Sequence, residues 1–152
     1  MTISIIKNNT QKYNNAVKKN TPLFVKFYSK HCGACVAMEQ EWNKFTKQMK
    51  QYQGNVAIAE IETKQLNYIY GFNQVVLVPT IVLLNKGEIV DEYHLPRTAK
   101  SMILYLKHKQ LIHKHTRTHK HKRSSGSSGS KHKHSSGNKH KLSKKYKQSR
   151  RI

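Results

Sequence analysis

Acidic residues are scarce in this chain: seven Asp and Glu stand against 29 Lys and Arg among 152 residues, a formal charge of +22. Cysteine is scarcer still, with only Cys32 and Cys35, two residues apart. A secreted scaffold stapled by disulfides needs more cysteines, spread out to close long loops. A ring as small as this pair closes restrains the unfolded chain little, so the pair reads as chemical rather than structural. Long apolar runs are missing as well. The longest, Val75 to Leu84, contains Pro79 and Thr80 and falls well short of the roughly 20 residues of a membrane span. The N-terminal apolar run breaks at Lys7-Asn8-Asn9, too early for a secretory signal. These absences point to a soluble intracellular protein, not secreted and with no transmembrane segment, housed in cytoplasm, nucleus or a nucleic-acid-containing particle such as a virion.

The charge is unevenly placed. Every acid lies at or before Glu92, whereas sixteen of the Lys and Arg and eight of the ten His follow residue 100. From His113 onward the chain is dominated by Lys, His, Arg, Ser and Gly, with Lys-His alternations at 119–122, 131–134 and 139–141 and Ser-Ser-Gly at 124–126, 127–129 and 135–137. So few apolar groups do not offset the cost of ordering, and residues 113–152 are expected to be a disordered tail after a domain at 1–112. A cationic arm of this kind binds polyanions, nucleic acid included, without reading bases, and its binding weakens with salt. A solubilising or membrane-surface role is the plainer alternative. The Lys-rich spacing of the histidines argues against a specific metal site.

Residues 1–112 carry a regular pattern. A short strand over Thr2–Ile6 and a helix from Asn9 or Thr10 to Asn20 precede the nearly continuous apolar run Leu23–Ser29, which suits a central strand covered on both faces. Val36, Met38, Trp42, Phe45 and Met49 recur at helical spacing, placing a long helix that begins beside Cys32. Gly54-Asn55 reads as a turn before a strand over Val56–Ile61, and a short helix near Gln65–Tyr70 closes at Gly71. The strand Thr80–Leu84 turns at Asn85-Lys86-Gly87 into Glu88–Tyr93, and Thr98 caps a last helix whose apolar face holds Met102, Ile103, Leu106 and Leu111. The order predicts an α/β fold: a central mixed sheet flanked by helices, with the final hairpin antiparallel on an otherwise parallel set.

The segment Phe27-Tyr28-Ser29-Lys30-His31-Cys32-Gly33-Ala34-Cys35 resembles the active-site segment of thioredoxins and protein disulfide isomerase domains. Val78-Pro79-Thr80 is similar to that family's cis-proline loop, and Ile81 to Gly87 keeps the family's spacing to the hairpin. The resemblance covers most of residues 1–112 and implies a thioredoxin-like fold and a thiol–disulfide oxidoreductase. It further implies that Pro79 is cis and packs against the disulfide, and that Val78 pairs with a substrate strand. Several positions depart from the pattern, among them a slightly longer stretch between Gly71 and Pro79 and Leu95-Pro96 where a glycine is common. His31 replaces a tryptophan, Gly33-Ala34 replaces Gly-Pro or Gly-His, and Lys26 stands where the family places a buried acid thought to take a proton from the resolving cysteine.

Disulfide exchange needs an attacking thiolate and a second thiol that resolves the mixed disulfide. Cys32, at a helix start where free N–H groups and the dipole favour negative charge, is the expected nucleophile, and Cys35, one turn in, the resolver. Gly33 eases the bend, and Ala34 completes the dipeptide. Lys30 and His31 flank the site and Lys26 lies beneath it, with no acid before Glu39, so a lowered Cys32 pKa is expected. Lys26 is expected to snorkel to the surface, leaving resolution slow and dependent on water or another base; His31 reads as a solvated rim residue. Structural zinc usually takes four ligands and no second cysteine pair exists, so neither metal nor cofactor is expected. The leading reading is an oxidoreductase exchanging disulfides with protein thiols, supplied by an unidentified electron donor or acceptor. The alternative is a basic packaging or structural protein of a nucleic-acid particle whose redox domain is secondary or inactive.

Overall fold

The β-branched and aromatic run Leu23–Tyr28 forms strand β2 at the middle of a five-stranded sheet. The computed structural model describes residues 1–71 and 77–116. Along this part of the chain lie β1 (Ser4–Lys7), α1 (Thr10–Lys18), β2, α2 (Gly33–Gln48), β3 (Tyr52–Gly54), β4 (Ala57–Glu62), β5 (Thr80–Asn85), β6 (Glu88–Glu92), α3 (Ala99–His108) and β7 (Ile112–Lys114). The sheet order is β1-β4-β2-β5-β6. β1, β4 and β2 run parallel, while β5 is antiparallel to β2 and β6 to β5. The antiparallel part therefore starts one pairing earlier than the hairpin alone would make it.

Strand alternation sends β2 side chains to two cores. Phe24 joins Met38, Trp42 and Phe45 of α2 and Met102, Ile103 and Leu106 of α3 on one face. Leu23, Val25 and Phe27 join Ile6, Tyr13, Ile61 and Leu84 on the other, under α1. Phe24 is the hub of an aromatic cluster, its ring centroid 5.5–6.2 Å from those of Trp42, Phe45, Tyr93 and Tyr105. Helix starts follow local chemistry: Asn9 accepts from Lys12 N–H and Thr98 from Ser101 N–H, each satisfying an orphan donor.

The β5–β6 hairpin turns through Lys86 and Gly87, both with positive φ (52° and 81°), as a two-residue loop matched to strand twist requires. Gly71, at φ +87°, packs so tightly on Gly87 that a Cβ there would lie 2.2 Å from the Gly87 carbonyl oxygen. Ahead of it, the short helix expected at Gln65–Tyr70 is a 3-10 segment over Thr63–Tyr68; Val75 and Val76, expected to lead into Pro79, lie outside the described residues.

Two strands escaped the sequence reading. β3 and β7, three residues each, pair as a separate antiparallel ribbon. The domain end placed at 112 is therefore too early: β7 continues through His113 and Lys114, and His115 N–H still donates to the Gln51 carbonyl. Ile112 is buried in the α2/α3 core and anchors this ribbon. Residues 117–152, which carry most of the tail, lie outside the described residues.

Candidate active site

Cys32 is the N-cap of α2, with extended backbone (φ −96°, ψ 114°), and its sulfur accepts the Cys35 N–H at 3.2 Å. The start of a helix leaves its first N–H groups free, and here a sulfur takes the place a serine or aspartate side chain normally fills. The Cys32 thiol also donates to the Val78 carbonyl at 3.5 Å, which brings in the loop before β5 from 46 residues away. Both thiols are free; Cys32 is half-buried and Cys35 is buried at 4% exposure. The Val78–Pro79 bond is cis and Pro79 is buried.

The two sulfurs are electrostatically unequal. The Cys32 pKa is lowered, chiefly by its hydrogen bond with the Cys35 thiol, then by the N–H groups of Cys35 and Ala34 and by the charge of Arg97; partial burial opposes these. Burial pushes the Cys35 thiol up, its bond to Cys32 adds to that, and Lys26 pulls it down. One sulfur is prepared to be a thiolate and its neighbour is held as a thiol.

Several expected contributors act differently. Lys30 is exposed and pairs with Glu62 at 3.8 Å, so its charge is directed away from Cys32. His31 is exposed, and its N–H donates to Ser29 Oγ at 3.3 Å. Gly33 has no positive φ and open space around it, so the bend does not depend on glycine. Ala34 contributes through its backbone N–H. Lys26 does not reach the surface. It is 3% exposed, and its ammonium lies 2.9 Å from Glu60 Oε2 and 4.7 and 4.9 Å from the ring centroids of Tyr28 and Trp42. A central strand covered on both faces offers no surface to snorkel to, and Glu60, directly opposite on β4, supplies the counter-charge.

Sequence reasoning missed Arg97 and Glu60. Arg97 donates to the Pro79 carbonyl at 3.1 Å from a loop 65 residues after Cys32, with no motif to mark it. Glu60 carried a signal: Ile58, Glu60 and Glu62 alternate with Ala57, Ala59 and Ile61, so an acid was due on the same sheet face as Lys26. Among the described residues no cluster of His, Cys, Asp or Glu is arranged to hold a metal ion, and no helix is long and apolar enough to cross a membrane.

The thioredoxin family model matches residues 4–108, from β1 to the end of α3. The chain belongs to the thioredoxin family. Similar proteins include protein disulfide-isomerase of Medicago sativa, 29% identical over 98 residues, and that of Datisca glomerata, 30% identical over 96 residues. Protein disulfide-isomerase A4 of Rattus norvegicus is 27% identical over 95 residues. These matches take in 61–62% of this chain and only 15–19% of the relatives' own lengths. Among solved structures, the zinc-bound form of human ERp44 superposes with a TM-score of 0.59 at 19% identity, covering 70% of this chain and 30% of that one. The first thioredoxin domain of mouse protein disulfide-isomerase A4 does so at 0.51 and 23%, covering 67% and 72%. At these identities the structures establish a shared thioredoxin-like α/β fold. The family is one of thiol–disulfide oxidoreductases that act on protein thiols and disulfides, with cysteines at 32 and 35 spaced as its Cys-x-x-Cys pair.

Proposed function

We propose that this protein is a thiol–disulfide oxidoreductase that exchanges disulfides with protein substrates through Cys32-Gly33-Ala34-Cys35. The observation that carries the reading is the position of the Cys32 sulfur. It caps α2, lies within hydrogen-bond reach of the Cys35 N–H and the Val78 carbonyl, and is biased toward the thiolate. In the reducing direction the Cys32 thiolate attacks a substrate disulfide, forming a mixed disulfide and releasing one substrate thiolate. Cys35 then attacks Cys32, closing the intramolecular bond and releasing the second.

An extended substrate aligns beside Val78, whose carbonyl already faces the reacting sulfur. The exposed apolar side chains of Val36, Leu77 and Leu95 offer contact area on the flanking segments, and Arg97 adds positive charge. Insulin-disulfide reduction tests the reading. Wild type is expected to turn over, Cys32→Ser to lose activity entirely, and Cys35→Ser to accumulate a substrate-linked mixed disulfide. Turnover that survives Cys32→Ser overturns it.

The +22 charge supports a second reading, a nucleic-acid-packaging role in which the redox domain is secondary. Polyanion binding unaffected by Cys32→Ser, in a protein without insulin-reducing activity, is the result that would favour it.

A further inference from the structure

The outer side of α1 has no part in the dithiol chemistry, and its make-up is one-sided. Its outward residues are Gln11, Lys12, Asn14, Asn15 and Lys18, followed by the capping Lys19: three cations, three amides and no acid. We propose that this face, with Tyr68 and Tyr70 beside it, binds single-stranded nucleic acid, the tyrosine rings stacking on bases and the lysines holding phosphates. The proposal stands independently of Cys32 and Cys35.

Three observations converge. First, two aromatic side chains are exposed together, Tyr68 at 70% and Tyr70 at 50%, on either side of the buried Ile69. Ile69 is extended (φ −110°, ψ 151°), so the Cα atoms of the two tyrosines stand about 6.6 Å apart. That is about twice the 3.4 Å rise between stacked nucleotides, wide enough to admit a base.

Second, the tyrosines are held rather than loose. Asn14 of α1 clamps their backbone: its Nδ2 donates to the Tyr68 carbonyl at 2.9 Å, and its Oδ1 accepts the Tyr70 N–H at 2.8 Å. Ile69 anchors the same segment in the core that also holds Tyr13 of α1. A segment fixed before binding loses little freedom when a ligand settles on it.

Third, cations stand where a strand would run. Lys18 Nζ lies 5.2 Å from the Tyr70 ring centroid. Lys12 and Lys19 line a cleft of about 450 Å³ together with Asn15, Thr21 and Asn55. Seven residues separate these two lysines, about 10.5 Å along a helix axis, which is the rise of about three nucleotides. No acid precedes Glu39 in the sequence, and Glu62, the acid nearest the tyrosines along the chain, is already held by Lys64 at 2.9 Å and Lys30 at 3.8 Å.

Stacking separates this occupant from other polyanions. An acidic peptide would answer to the lysines and leave the tyrosines unused. Every base has a π-face, so the binding is tolerant of sequence. The basic residues after 116 are expected to attract phosphates as well, so the deciding comparison keeps the phosphates and removes the bases.

The test uses the full chain and two labelled strands of about 12 nucleotides, oligothymidylate and its abasic counterpart, in fluorescence anisotropy. Wild type is expected to bind the base-bearing strand about tenfold or more tightly. Tyr68→Ala/Tyr70→Ala should erase that preference and leave abasic affinity within about twofold, whereas Tyr68→Phe/Tyr70→Phe should keep it, because the ring stacks and not the hydroxyl. Lys12→Gln/Lys18→Gln/Lys19→Gln should lower the slope of log affinity against log salt by about 2, at about 0.7 per phosphate. Equal wild-type affinity for the two strands overturns the proposal, as does a preference that survives the alanine pair or a salt slope that the lysine variant leaves unchanged. Polyglutamate that competes as well as unlabelled oligothymidylate of equal charge marks an acidic-peptide surface, and overturns it too. Should the alanine pair not fold, Tyr68→Ala alone carries the test: the preference is expected to fall about fivefold or more, and no change overturns the inference.

Discussion

At the scale of single residues, the site depends on how two sulfurs one helical turn apart are made unequal. Arg97 is a side-chain cation whose charge lowers the Cys32 pKa. Arg97→Gln is expected to raise that pKa and slow attack at neutral pH a few-fold, read by thiolate ultraviolet absorbance and by iodoacetamide alkylation. The same shift links to stability. A native pKa below the ordinary thiol value means that Cys32 contributes stability to the reduced protein that grows as pH rises from its native pKa. This contribution is complete above roughly 8.5 and is lost as pH falls back through the native pKa. Cys35, shifted upward, opposes the gain above that range. The denaturant midpoint of reduced wild type should therefore rise with pH toward the thiol range and then flatten or fall, while Cys32→Ser lacks the rise. Lys26→Ala, which leaves Glu60 without its counter-charge, is expected to destabilise by about 3–5 kcal/mol in urea unfolding.

At the scale of elements, β2 ties the two cores together. Phe24 is fully buried and touches rings from α2, α3 and the segment after β6, so Phe24→Ala should cost about 3–5 kcal/mol in denaturant unfolding. Gly71→Ala introduces a Cβ at positive φ and into the Gly87 carbonyl, and a loss of at least ~1–3 kcal/mol is expected from the backbone strain alone. At the far end, the β3–β7 ribbon makes Ile112 part of the core, and Ile112→Ala should cost about 2–5 kcal/mol. A change near zero would show that the domain ends where the apolar pattern thins.

At the scale of the whole chain, most of the positive charge lies after residue 100 in the sequence and outside the family match in its larger part. Affinity for duplex DNA is expected to fall on the order of 10³-fold or more between low and physiological salt if six or more phosphates are engaged. Gel-shift titrations at several salt concentrations check this, and a flat dependence would argue against counterion release.

What was legible and what was not follows from the range of the forces involved. Local chemistry wrote itself into the sequence: the apolar run of β2, the Asn9 and Thr98 caps, the Lys86-Gly87 turn, and two cysteines at a helix start each depend on neighbours within a turn or a strand. The three-residue strands β3 and β7 carry too little periodicity to announce a pairing made across the fold. Lys26 shows the division most plainly. Its identity and its place six residues before Cys32 were visible from the start, and its counter-charge was present in the alternation of β4. Only the register that sets β4 beside β2 decided that Lys26 is buried against Glu60 rather than solvated, because a charge inside a protein is governed by the partner that tertiary structure brings to it and not by its neighbours along the chain.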